Sequence, residues 1–216
     1  MMIILLILVV VVLLLIWWFV SSRESTAVVM SVCGHADDVK KVKELCDLNN
    51  YDLIVYDKCN DCKEIESCSI LPNVGREQGT WLNHVMQNYD NLHSKILFLP
   101  APIHKYDRLE RGLSMLKSPN SMGGAIGPHE NFTLDNWNNS PLIPAEVRPF
   151  KAWYEKNIGQ WNATHEGVYI NGVMATTRER IRSKPLEFYM NLHRQVSIDN
   201  NTEVGHYLER SMGSVF

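Results

Sequence analysis

The first twenty residues, Met1 to Val20, carry no charged or polar side chain, and no other feature constrains the chain as tightly. As an α-helix rising about 1.5 Å per residue, such a run crosses the roughly 30 Å hydrocarbon core of a bilayer. Trp17 and Trp18 stand at its C-terminal end, where indole rings favour the membrane interface. A cleaved signal peptide is the competing reading, with a basic start, a shorter apolar stretch and a small-residue cleavage site. Here no Lys or Arg precedes the run, and Trp17, Trp18 and Phe19 crowd the cleavage zone. The sequence therefore predicts a signal-anchor over 1–20, a short stem over 21–26 and one domain over 27–216.

Orientation rests on weaker signals. Arg23 is balanced by Glu24 and Lys40 is distant, so the positive-inside rule decides little. Asn131-Phe-Thr, Asn138-Asn-Ser, Asn162-Ala-Thr and Asn200-Asn-Thr all fit the N-glycosylation pattern. They favour a type II protein with its domain in the secretory lumen or outside the cell, although an Asn-rich chain also yields so short a motif by chance. The cysteines are Cys33, Cys46, Cys59, Cys62 and Cys68. In a lumen they predict local disulfides, and their odd number leaves one thiol free or paired between chains. No second Cys-x-x-Cys completes a zinc site; reduced buried cysteines are the alternative in a cytosolic domain. The net charge of −3 gives no electrostatic reason to expect nucleic acid.

Periodicity organises the rest. Val-rich 27–32 reads as a buried strand, and 38–48 as a helix with Val39, Val42 and Leu45 on one face. Asp37 or Asp38 is its natural N-cap. A second strand follows at 53–56, a helix at 79–89, a third strand at 95–99 and a helix at 106–116. The stretch 118–164 is rich in Asn, Pro, Gly and Trp and reads as a long excursion. A strand within 167–175 and helices at 176–181, 185–196 and 205–216 complete the chain, with Pro185 in a first helical turn. Strand, helix, strand at the start predicts an α/β fold, a mostly parallel central sheet flanked by helices.

In such sheets ligands bind beyond the carboxyl ends of the strands. Three polar clusters fall there: His35 with Asp37 and Asp38, then Asn73, Gly75, Arg76 and Glu77, then His104. Gly75 permits close backbone approach, the helix beyond offers an N-terminus to an anion, and Arg76 supplies a planar fork. A diphosphate suits that set; a capped loop with Arg76 and Glu77 facing water is the plainer alternative. His206 and Glu209 share a helix face and suit a general base with an imidazole neighbour, against a surface pair of Glu209 with Arg210. His35 with Asp37 or Asp38 suits a divalent cation such as manganese, but no Asp-x-Asp occurs and a capping role is simpler.

Four blocks resemble the domain-of-unknown-function family 3431. They are Leu71-Pro-Asn-Val-Gly-Arg-Glu77 with the following 79–92, Ile96-Leu-Phe-Leu99 with His104, Thr177 to Tyr189, and Gly205-His-Tyr-Leu-Glu-Arg210 running to Phe216. Three departures stand out. Only the acid of an Arg-and-acid pair is kept after the first strand, Pro100-Ala101 replaces a Gln-Gly, and Met212 stands where an aromatic is usual. The family's layout is similar to the nucleotide-binding half of GT-A glycosyltransferases. The family itself has no established activity; the GT-A-like layout leads to the expectation of a membrane-anchored enzyme moving a sugar from a nucleotide-sugar to a glycan or glycoprotein. Asn73, Gly75 and Arg76 would line the donor diphosphate, with Glu77 beside them, and Asp37 or Asp38 would contact the nucleoside. Glu209 would be the base, His206 its neighbour, and His104 would line the acceptor side. The rival reading is a non-catalytic ectodomain holding carbohydrate or a protein partner through 118–164, with Trp137, Trp153 and Trp161 as stacking surfaces. A thiol oxidoreductase at Cys59 and Cys62 is the third.

Overall fold

The computed structural model describes residues 24–60, 68–119, 129–161 and 172–216. The predicted anchor over 1–20 lies outside them, and no helix of the described residues is long and apolar enough to cross a membrane.

Strand β1 (Thr26–Val32) is buried along almost its whole length, as a Val-rich run without alternation requires. Helix α1 (Ala36–Asn49) leads to β2 (Asp52–Asp57), and a short β3 (Cys68–Ile70) follows. Helix α2 (Arg76–Asn88) returns the chain to β4 (Lys95–Pro100), and α3 (Arg108–Lys117) leaves it. The hairpin β5 (Asn136–Trp137) and β6 (Ser140–Pro141) and helix α4 (Phe150–Asn157) come next. Strand β7 (Met174–Thr177) precedes α5 (Arg178–Arg182), α6 (Leu186–Val196) and α7 (Glu203–Val215). The main sheet has the order β3-β2-β1-β4-β7. Its first four strands in that order run parallel, and β7 is antiparallel to β4.

The two faces of β1 and β4 feed two cores. Val28, Met30, Val32, Leu97 and Leu99 meet α1 through Val39, Val42 and Cys46, and α3 through Leu116. Ala27, Val29, Ile96 and Phe98 lie under Trp81, Leu82 and Val85 of α2, Tyr189 and Leu192 of α6, and Tyr207 and Met212 of α7. Phe98 sits between Trp81 and Phe216, at ring separations of 5.0 and 5.4 Å. The expected α/β fold with a mostly parallel sheet is what forms.

Several expectations change in detail. Strand β3 was not foreseen; its three residues sit at a sheet edge with Ile70 exposed, so no hydrophobic pattern marks it. Asp37 and Asp38 do not cap α1. His35 occupies the N-cap with φ 66 and no side-chain cap bond. Asp38 turns inward, and its carboxylate accepts the Ile103 N–H at 3.0 Å. A buried backbone N–H needs an acceptor, and that demand outranks the cap. Helix α2 starts three residues before the predicted 79, which puts Arg76 and Glu77 in its first turn. Pro185 stands at the N-cap of α6 rather than inside its first turn.

Within 118–164 the described residues include the β5–β6 hairpin and helix α4. Trp153 and Trp161 pack with Phe150, Tyr154 and Tyr207 in the core, so they are not sugar platforms. Glu203, with no exposed surface, pins the segment: its carboxylate accepts from Leu134 N–H, Ala145 N–H, Arg148 and the Tyr207 hydroxyl. Cys33 and Cys59 form a disulfide, a bond that belongs to an oxidising, secretory-type compartment. Cys46 of α1 is buried against the sheet, and burial pushes its thiol up to about 11. Cys62, the partner in the oxidoreductase reading, lies outside the described residues.

Candidate functional site

The chain moves from β1 outward through α1 to β2 and β3, then returns to β4 through α2 on the opposite face of the sheet. Strand order therefore reverses between β1 and β4, where open α/β sheets hold their ligands. A cleft of about 190 Å³ opens at that carboxyl edge. Ser31 and Cys33 enter it from the end of β1, Lys58 from β2, Asn73 from the loop after β3, and Pro100 and Ala101 from β4. Arg76 and Glu77 come from the start of α2, and Asn200 from the loop before α7.

Lys58 was not singled out from the sequence, although a charged residue ending a buried strand is a signal. It is 8% exposed, and burial pulls its ammonium down to about 8 against the opposing pull of Glu77. Its Nζ donates to the carbonyls of Val74 and Arg76, each at 2.5 Å, and so ties down the loop that enters α2. Lys58 also lines a second cavity of about 230 Å³ on the far side of that loop, with Pro72, Asn83 and His193. The disulfide joins the loops after β1 and β2, and Asn73 Nδ2 rests over it, 3.5 Å from Cys59 Sγ and 3.9 Å from Cys33 Sγ.

The predicted anion cradle at Gly75 and Arg76 is partly filled by the protein itself. Gly75 N–H donates to Asp199 O at 2.9 Å, and Arg76 N–H to Asn200 Oδ1 at 3.2 Å. The Arg76 guanidinium donates to Asn200 O and Asn201 Oδ1, both at 3.3 Å, and lies 5.8 Å from the centre of the Trp137 ring. Gly75 is needed for its conformation: φ is 68, and a Cβ would come within 3.1 Å of Gly79 Cα and 3.2 Å of Val196 O.

Glu77 has space because Gly172 lacks a side chain; a Cβ there would lie 2.8 Å from the Glu77 Cγ. Arg108, another residue the sequence did not single out, is 8% exposed, donates to Pro102 O at 3.2 Å, and keeps an Nε with no partner among the described residues. Burial lowers its pKa, while Glu77, Tyr106 and Glu209 act against that from nearby. Both candidate carboxylates therefore stand within electrostatic reach of one buried cation.

His206 is 3% exposed, and its Nε2 has no partner among the described residues. Trp137 covers it at 4.9 Å. Burial first, then Arg76 and Arg210, hold its pKa at about 4, so the ring is neutral at pH 7. It is not bonded to Glu209, and Arg210 donates to the His206 carbonyl at 3.0 Å. His35 and His104 meet edge to face at 6.2 Å on the exposed rim. Asp37 is exposed and pairs with Lys40 at 3.8 Å, away from its neighbour Asp38. Among the described residues no three His, Cys, Asp or Glu side chains gather as a metal site.

Compared with family models, curated proteins and solved structures, the chain finds no match. The functional reading therefore rests on the geometry of the cleft.

Proposed function

We propose that this chain is a glycosyltransferase-like protein akin to the domain-of-unknown-function family 3431. Residues 1–20 would anchor it as a type II membrane protein, with a GT-A-like domain in the secretory lumen or outside the cell. The observation that carries the reading is the meeting of Lys58, Arg76 and Glu77 in one cleft at the reversal of strand order. A nucleotide-sugar presents a diphosphate to such a cleft, and two cations at a helix start complement its charge. The Cys33–Cys59 disulfide supports the oxidising compartment.

In this reading the base is Glu209, one helical turn from His206. Glu209 takes the proton of an acceptor hydroxyl, and the resulting oxygen attacks the anomeric carbon of the donor. The bond from that carbon to the diphosphate oxygen breaks, and the nucleoside diphosphate leaves with the electron pair, its charge met by Lys58 and Arg76. Asn73 and Gly75 line the diphosphate, Asp37 or Asp38 contacts the nucleoside, and His104 and His206 border the acceptor. Glu77 lines the cleft and is the alternative base.

A thermal-shift screen of the protein with uridine, guanosine and cytidine diphosphate sugars, with and without manganese, tests this. Ligands that bind the folded state raise the melting temperature. The expected result is a shift with one nucleotide class that Arg76→Ala abolishes. A folded sample that responds to none of them rejects transfer. The second reading, a non-catalytic glycan-binding ectodomain, is favoured by one fact: the Arg76 guanidinium is already bonded to Asn200 and Asn201.

A further inference from the structure

Four tryptophans lie among the described residues, and one of them differs from the rest. Trp81 and Trp153 are fully buried, and their indole N–H groups donate to Gly172 O and Gln195 Oε1. Trp161 is 9% exposed in the same core as Trp153. Trp137 is 44% exposed, and its indole N–H has no partner among the described residues. His206 packs against the ring at 4.9 Å, and the Arg76 guanidinium lies over it, 5.8 Å from the centroid. Nearly half of the residue's surface still meets solvent.

The ring is also held in place. Asn138 and Asn139 take φ 50 and 61, the pair of left-handed residues that a tight two-residue hairpin turn requires. Asn201 Nδ2 donates to Pro141 O at 2.6 Å, and Ile143 N–H to Asn201 O at 2.9 Å. The residue that fixes Arg76 thus also fixes the hairpin carrying Trp137, so the ring is ordered before any ligand arrives. In the same hairpin Ser140 faces Trp137 across the strands, and Asn136, Asn138 and Asn139 are neighbours in the chain; all four are exposed, with side chains bonded to no described residue. Each amide both donates and accepts, and so does the hydroxyl. None is charged.

An exposed indole in a hairpin of neutral amides and a hydroxyl matches a ring with an apolar C–H face and hydroxyls at its edge. We infer that Trp137 and the amides of the 136–140 hairpin form a subsite for one pyranose ring of a glycan, at the mouth of the cleft. The subsite rests on the carbohydrate part of the proposed function, which both versions of that reading share, and needs no transfer chemistry. Nucleobases also stack on indole rings, so free nucleosides are the control.

The test uses the full chain, purified in detergent, on an array of immobilised oligosaccharides covering hexoses, hexosamines, deoxyhexoses and sialic acids. Free nucleosides serve as competitors. Trp137→Ala and Trp137→Phe are compared at equal melting temperature, which an exposed residue allows. Protein made in a host that adds no N-glycan, run in parallel, keeps a host glycan on Asn138 from filling the subsite. The expected result is binding to a defined sugar, reduced at least tenfold in Trp137→Ala, partly kept in Trp137→Phe and not displaced by nucleosides. Equal binding in Trp137→Ala, displacement by nucleosides, or no sugar bound even by the unglycosylated protein overturns the inference. Glycan binding through Trp137 without any nucleotide-sugar shift rejects transfer and keeps the subsite. A nucleotide-sugar shift with no glycan bound does the reverse.

Discussion

His84 and His206 are buried imidazoles whose Nε2 atoms have no partner among the described residues. Each has its pKa lowered to about 4, by burial first, then by His93 for His84 and by Arg76 and Arg210 for His206. The unfolded chain binds a proton at these residues near pH 6.5, so between pH 6.5 and 4 it holds more protons than the folded one. Stability contributed by the neutral rings is complete above pH 6.5 and is lost as pH falls toward 4. Each ring accounts for about 3 kcal/mol of that loss. Urea unfolding at pH 7 and pH 4.5 checks this, and His206→Gln should visibly flatten the difference. The sequence showed His206 and Glu209 as neighbours on one helix face. It could not show that Trp137, far away in the chain, would cover the imidazole and that two guanidiniums would keep it neutral. Lys58 and Arg108 were missed for a related reason: a lone cation carries no motif, and only burial distinguishes it from a surface charge.

At the scale of elements, the loop into α2 is the most constrained. Gly75 has φ 68 and Arg76 φ 47, and Lys58 holds the carbonyls on either side of that turn. Replacing Gly75 with Ala forces a left-handed alanine and pushes its Cβ against Gly79 and Val196. The expected destabilisation is about 1–3 kcal/mol, read as a lower urea midpoint. Loss of the Arg76-dependent thermal shift should accompany it, because the same loop sets Arg76. The helices were legible wherever a long apolar stripe met a covering face, as with Trp81, Leu82 and Val85 in α2. Their starts were less so. The starts of α1 and α3 follow residues with positive φ, His35 and Asp107, where tertiary contacts set the backbone and propensity has little say.

At the scale of the molecule, the sequons make a prediction about compartment. Asn131 and Thr133 are exposed, and no described residue bonds their side chains. Asn200 lines the cleft, and Thr202 is 2% exposed, its hydroxyl accepting the Gly205 N–H as the cap of α7. In a secretory cell the chain should therefore lose mass on treatment with peptide N-glycosidase. Asn131→Gln should remove one step of that loss, and Asn200→Gln should leave it unchanged. Absence of any loss would argue against a lumenal domain, whatever the disulfide implies.

The sequence alone determined the alternation of strand and helix, because hydrophobic periodicity is local and each buried strand is its own signal. It also determined which segments crowd the carboxyl edge of the sheet, since a parallel strand order brings those loops to one side. Tertiary structure decided which side chains act there. The 199–201 loop, more than a hundred residues from Arg76 in sequence, takes up its guanidinium. The same loop holds the hairpin that leaves Trp137 open to solvent. Such choices depend on which donors find acceptors once water is excluded, and that is fixed only when the whole chain has packed.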